Sequence, residues 1–320
     1  MNHLDSNRQT RAFLSWLFEP TNPHLRDLIV GADADTALQR LAGEALAATQ
    51  FRDEVRDIPR HLLRDTFTEE LGQAHRAGIR VVVPQDDEWP TGVADLAAGP
   101  PPTDGDRMPG LLCLWVRGDK PVADTLLRSV TVTGARAATA YGSYVAAQIG
   151  HDLTGAGWTV VTTGGFGVDS AAIRGTLAGG GTPVVVLPGG LDCLHPAGNS
   201  TLFDRVAQSG LLVSGWPPGA LPNRTRPAAN ADLIARLTHG TVVVEATPTS
   251  RALRPLHRAI DLGRPAMLVP GPVTSSLSAG CHDALRRRPQ ARLVTSAADI
   301  VAELDTAQRP GNDRADGGRQ

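Results

Sequence analysis

Three glycine-ended turns hold the residues of this chain with the most chemical promise. Ser129-Val130-Thr131-Val132-Thr133 runs into Gly134 and, two residues on, Arg136. Thr159-Val160-Val161-Thr162-Thr163 runs into Gly164, Gly165, Phe166, Gly167, Val168 and Asp169. Thr182-Pro183-Val184-Val185-Val186-Leu187 closes on Pro188-Gly189-Gly190. A glycine turn between a strand and a helix presents backbone N–H groups at the positive end of the helix dipole, and that combination binds phosphate. Gly164, Gly165 and Gly167 admit close approach because they lack a Cβ. Asp169 is placed to cap the helix that follows. Arg136, at the mouth of the neighbouring strand, carries a guanidinium able to grip a phosphate through two N–H groups. Asn199, downstream of Pro196, opens another helix in the same group. Each of these also suits a plainer role: the glycines in tight turns, Arg136 in a surface ion pair, Asn199 as an N-cap.

Other chemistries find less support. The glycine spacing is not G-x-G-x-x-G, and there is no Walker lysine. Neither a G-x-S-x-G elbow nor an H-E-x-x-H or C-x-x-C pattern occurs. Ser170, His257 and Asp261 make no recognisable triad, His195 stands alone in a loop, and Glu245 stands alone after its strand. Cys113, Cys193 and Cys281 are too scattered for a disulfide framework or a zinc site. No catalytic residue, metal or cofactor is expected.

The turns need elements to hold them. Apolar strands ending in glycine, each followed by a helix-length segment, are the grammar of a parallel α/β sheet, in which ligands bind beyond the carboxyl ends of the strands. Further strands are read at 79–83, 111–116, 211–214, 241–245, 266–269 and 292–294. Helices are read at 68–78, 141–154, 168–177, 199–208, 230–237, 251–262, 277–288 and 297–304. Residues 97–110 and 219–229 read as Pro-rich loops. The expected organisation is a small helical N-terminal module over 1–74, a Rossmann-like domain over 75–305 and a disordered tail over 306–320.

With 41% hydrophobic residues and a net charge of -2, the chain is neither a polycation nor a membrane protein. It lacks a signal-peptide core, so the expected location is the cytoplasm. The charge is uneven: residues 201–292 hold 12 arginines and 5 carboxylates. A basic half of this kind attracts phosphates.

A series of short motifs follows one order along the chain. Trp89-Pro90 comes after an acidic turn, then Leu114 to Gly118, Val132 to Arg136 and Gly165 to Ala172. Pro188 to Asp192, Asn199 to Phe203, Val243 to Ala246, Val269 to Pro272 and Leu293 to Ser296 follow. In this register the chain resembles the DNA-processing protein A (DprA/Smf) family over about residues 75–305. The resemblance implies an extended Rossmann-like, mostly parallel sheet that binds single-stranded DNA without catalysis. It also implies a homodimer that loads RecA recombinase onto incoming DNA in natural transformation. The family's pocket uses the glycine-arginine turn and the glycine-rich loop, which Gly134, Arg136, Gly165, Gly167 and Asp169 match, and a basic Phe-Pro-x-Arg-Asn-Arg segment. That segment departs here: in Arg226-Pro227-Ala228-Ala229-Asn230-Ala231 both arginine positions are alanine. Arg224 and Arg226 upstream are the expected substitutes, with Asn230 retained. Arg251 and Cys281-His282-Asp283 depart from the family pattern as well.

The expectation is therefore single-strand binding weaker than the family norm, low in sequence selectivity. Two alternatives stand beside it. One is a nucleotide sensor that has lost DNA binding. The other is a lysine-decarboxylase-like hydrolase of nucleoside monophosphates, whose Pro-Gly-Gly-x-Gly-Thr-x-x-Glu motif is broken here after Gly190.

Overall fold

The computed structural model describes residues 3–22, 25, 36, 51–93, 108 and 110–308. Apolar, β-branched runs pair into one nine-stranded sheet in the order β1-β2-β6-β5-β4-β3-β7-β8-β9. The strands are β1 (Ile79–Val82), β2 (Leu114–Arg117), β3 (Ser129–Thr133), β4 (Thr159–Thr162), β5 (Val184–Leu187), β6 (Leu211–Ser214), β7 (Thr241–Val243), β8 (Ala266–Leu268) and β9 (Ala291–Leu293). β3 to β9 run parallel, while β2 pairs antiparallel with both β1 and β6. This is the α/β, Rossmann-like, mostly parallel architecture that the glycine-ended strands predict. The β3, β4, β5 and β6 strands are buried along nearly their whole length, as strands covered on both faces must be.

The helices are α1 (His3–Leu17), α2 (Leu63–Arg76), α3 (Val122–Leu126), α4 (Ala140–Gly155), α5 (Val168–Ala178), α6 (Ser200–Ser209), α7 (Arg226–Leu237), α8 (Arg254–Asp261), α9 (Ser276–Arg287) and α10 (Ala297–Gln308). Side chains alternate across the sheet. Val242 and Val244 join α4, α5 and α10 in one core, while Val243 joins α8 and α9 in another. Helices α4 and α5 approach closely: a Cβ on Gly175 would lie 1.9 Å from the Ala147 carbonyl oxygen. β3 lies between β4 and β7, so chain order reverses there, and the turns after β3 and β7 flank the crevice where such sheets take ligands.

At the N-terminus, Phe13 and Trp16 of α1 stack, Phe67 of α2 meets Phe13 edge-on and Trp16 at a tilt, and all three share a core with Ile79, Trp115 and Leu187 of the sheet. Residues 37–50 of the expected helical N-terminal module fall outside the described residues, as does nearly all of the loop over 97–110. Several boundaries differ from expectation, the helix read at 68–78 among them, which spans Leu63–Arg76. β2 begins at Leu114, because Leu111 to Cys113 are buried without joining the ladder. α7 begins at Arg226, because Pro227 sits in the first turn, where its missing N–H costs nothing. α10 extends to Gln308, so Thr306 to Gln308 are helical rather than part of a disordered tail, and the rest of the expected tail lies outside the described residues.

Candidate functional site

The turns after β3 and β4 interlock. Gly167 has φ of 68°, and a Cβ on it would lie 2.3 Å from the Ala135 carbonyl oxygen, so the two backbones can meet only at a glycine. The Val168 N–H donates to that same carbonyl at 3.1 Å. Gly134 is just as crowded, 2.8 Å in Cβ terms from Val168 and 2.9 Å from the Glu245 carbonyl.

Beneath the loop lies Asp169, buried at 2% exposure in the first turn of α5. Its carboxylate accepts from Thr133 Oγ1 at 2.8 Å, the Thr163 N–H at 3.0 Å and the Gly165 N–H at 3.1 Å, and also from Thr163 Oγ1. Burial pushes this carboxyl above the usual carboxylate range, against the opposing pull of those donors. Asn199 ties the other side: its Nδ2 donates to the Gly164 carbonyl at 3.0 Å and to Ser170 Oγ at 2.9 Å, and Ser170 donates to the Gly165 carbonyl at 2.8 Å. Asn199 makes no side-chain cap to its own helix. Asp169 and Asn199 are thus corrected from phosphate ligands to buried supports, because their polar atoms are filled from inside.

Glu245 has a similar role. It is 1% exposed and accepts from the Thr139 N–H at 2.9 Å and Thr139 Oγ1 at 2.6 Å. Thr139 in turn caps α4 by accepting from the Gly142 N–H at 3.1 Å. Gly142 leaves room for that carboxylate, which a Cβ would meet at 2.2 Å.

Above these supports stands Arg136. It is exposed, and its guanidinium carbon lies 5.7 Å from the ring centroid of Phe166, within cation–π reach. Phe166 is 39% exposed, and its ring edge rests against Gly198. Arg136 forms no ion pair with any described residue. Gly164, Gly165 and Gly167 frame this aromatic-cationic pair from below. Phe166 went unsingled in the sequence, although an aromatic among glycines in a chain with only 6 phenylalanines was a usable signal.

The segment after β6 is built differently. Arg224 is exposed, but Arg226 is 2% exposed and turned inward. Its guanidinium pairs with Glu54 at 2.9 Å and with Glu19, and donates to the Leu221 carbonyl. Burial disfavours its charge, yet those two carboxylates more than compensate and raise its pKa. Glu19 also accepts from Trp216 Nε1 at 2.8 Å, and Glu54 from the Leu221 N–H at 3.0 Å. Arg226 is therefore not a substitute phosphate ligand: it latches the N-terminal segment to the loop before α7. Asn230 is buried too, donating to the Val186 carbonyl at 2.8 Å, and Ala229 and Ala231 face the interior.

Cys193 and His195 are exposed neighbours, Sγ to Nε2 3.7 Å, while burial pushes the Cys113 and Cys281 thiols up to about 12. Among the described residues no three His, Cys, Asp or Glu side chains gather as a metal site, and no helix is long and apolar enough to cross a membrane.

Residues 80–305 match the family model described as DNA recombination-mediator protein A. This chain belongs to the DNA processing protein A family. It is 39% identical over 304 residues to a putative DNA processing protein DprA of Mycobacterium tuberculosis, across 93% of this chain and 75% of that one. The X-ray structure of DprA from Streptococcus pneumoniae superposes with a TM-score of 0.62 at 25% identity, covering 83% of this chain and 89% of that one. DNA processing protein A from Helicobacter pylori shares the fold, with a TM-score of 0.58 at 20% identity over 71% of this chain and 96% of its own. The supports found here lie inside the family-matched region except for Glu19 and Glu54, which lie before it.

Proposed function

We propose that this DprA-family chain binds single-stranded DNA at the carboxyl ends of β3, β4 and β7, without catalysing a reaction on it. Arg136 takes a backbone phosphate and Phe166 offers its ring to a base. The observation that supports this most is the exposed Arg136 guanidinium held over the exposed Phe166 ring at the mouth of the crevice. A cation beside an aromatic platform is the pairing that single strands use, since every base has a π-face and every nucleotide a phosphate. The structure determination of the Helicobacter pylori relative concerned its mode of single-stranded DNA binding. The rim carboxylates Asp169 and Glu245 are occupied by internal donors, which supports binding rather than acid–base chemistry. Gly134, Gly164, Gly165 and Gly167 shape the rim, Arg224 adds a second outward cation, and Asp169, Asn199, Arg226 and Asn230 hold the loops. Family resemblance extends the proposal to a cytoplasmic homodimer that delivers the bound strand to RecA recombinase.

A gel-shift titration with labelled poly-dT and with duplex, at two salt concentrations, tests the binding. The wild-type chain is expected to retain poly-dT at low salt and release it as salt rises. Arg136→Ala should weaken binding about tenfold and flatten the salt dependence by about 0.7 in log–log slope, the share of one single-strand phosphate contact. Failure of the wild-type chain to retain poly-dT at low salt overturns the reading. Light scattering at twice the 33.6 kDa chain mass and faster RecA filament assembly on single strands test the two wider expectations.

A further inference from the structure

Between residues 251 and 292 the chain holds eight arginines and two carboxylates, Asp261 and Asp283. Helices α8 and α9 pack side by side over β7, β8 and β9, sharing one core through Leu256, Cys281 and Ala284. Some of the arginines have structural work: Arg258 pairs with the buried Asp232, Arg287 with Asp283 at 2.7 Å, and Arg292 with Glu303 at 4.0 Å. Arg251, Arg254, Arg286 and Arg288 are exposed and make no ion pair with a described residue.

Their placement follows from the topology. Each helix starts at the carboxyl end of a parallel strand and runs back to the other end. Arg251 and Arg254 therefore sit at the rim that carries Arg136, and Arg286 and Arg288 sit at the far end of α9, about 18 Å away along 12 residues. The two helices meet in charge as well: burial, then the positive charge of Arg288, hold His257 of α8 below its ordinary value, with Asp261 acting the other way.

We propose that the outer face of α8 and α9 is a second contact track for a nucleic-acid backbone, continuous with the rim and carrying the strand beyond it. This rests on the single-strand binding proposed above. Unpaired arginines spread along a surface are the footprint of phosphate binding. A protein partner would need an apolar anchor. None of the large apolar side chains exposed on the described surface belongs to α8 or α9.

The test compares the wild-type chain, Arg136→Ala and a triple variant, Arg254→Ala/Arg286→Ala/Arg288→Ala, on two dT strands. One strand is of about 8 nucleotides, the scale of a single binding site. The other is about five times longer. On the short strand the triple variant should lose no more than one contact's share of the salt slope, about 0.7, because only Arg254 of the three lies at the rim. It should bind the long strand at least about tenfold more weakly, with a salt slope shallower by about 2, the share of three phosphates. The corresponding triple Arg→Lys variant should restore most of that slope, and circular dichroism should show all variants folded. A folded triple alanine variant with wild-type affinity and slope on the long strand overturns the track and leaves the rim standing. A wild-type chain that ignores the short strand, yet holds the long one through the three arginines, overturns the rim and leaves the track. Loss of both strands by the wild type sinks both. Competition by polyglutamate as effective as by dT of equal charge would assign the face to an acidic protein instead.

Discussion

Arg136 and Arg226 sit in comparable places, each in a connection leaving the carboxyl end of a parallel strand, and they have opposite fates. Arg136 faces solvent above Phe166, because the carboxylate beneath it, Asp169, is already filled by hydroxyl and backbone donors. Arg226 is drawn inward, because Glu19 and Glu54 arrive from the N-terminal segment with one neutral N–H donor each, from Trp216 and Leu221, and negative charge left to pair. A guanidinium has five donors and goes where carboxylates can take them. What decides whether a loop arginine is a ligand or a latch is thus the state of the nearest carboxylate, more than the motif around the arginine.

The largest effect should come from disturbing the interlocked turns. Gly167→Ala places a Cβ against the Ala135 and Arg136 carbonyls at a positive φ, with only backbone to give way. Strain of that kind is expected to cost about 3 kcal/mol or more of folding stability, read by urea denaturation. A melting curve close to wild type would show that the two turns are not rigidly joined, and the contrast with the Arg226 loop would lose its basis.

Next comes the latch itself. Arg226→Leu strands two carboxylates beside Trp216 and Leu221. Removing one partner of a buried ion pair costs about 3–5 kcal/mol, and the partial exposure of Glu19 and Glu54 puts this case at the low end. Glu19→Gln/Glu54→Gln in the same background should recover part of the loss. At temperatures where the variant is folded, poly-dT affinity should stay within about twofold of wild type. A stable protein with lost DNA affinity would make Arg226 a ligand after all.

The fold was legible because its signals are local. Runs such as Val184 to Leu187 are too apolar and too short for anything but a buried strand, and a glycine turn closes β3, β4 and β5. The opening of the rim, Gly134 to Arg136 and Gly164 to Gly167, could be read for the same reason. The inward turn of Arg226 could not, since its carboxylates are 207 and 172 positions away in the chain. The start of α7 was hidden by Pro227, which signals a break in isolation and a first turn in context. Asp169 and Asn199 could be singled out by spacing, but not the side from which they meet the loop. Spacing shows that a polar residue meets a glycine loop, and only the fold shows that it does so from underneath.

Phe166→Ala sharpens the solvent-facing half of the comparison. If a base stacks on this ring, truncation should cost about 1–3 kcal/mol of single-strand affinity and leave the salt slope unchanged, since no phosphate contact is lost. A flattened slope would mean that the ring serves only to hold Arg136 in place. Stability should change little at a side chain already 39% exposed.

The smallest effect separates the two arginines of the second loop. Arg224 and Arg226 are two residues apart, yet one is exposed and the other is 2% exposed. Arg224 makes no ion pair with a described residue, so Arg224→Ala should leave the unfolding curve unmoved. An exposed charge pair contributes about 0.2–1 kcal/mol, so affinity for poly-dT should fall by no more than about fivefold. If Arg224 meets a phosphate, the log–log salt slope should flatten by about 0.7 even where the affinity change is hard to resolve, because the slope counts contacts and is insensitive to how well each is made. An unchanged slope would confine the phosphate contacts of the rim to the Arg136 side and leave the second loop as a wall held in place by its latch.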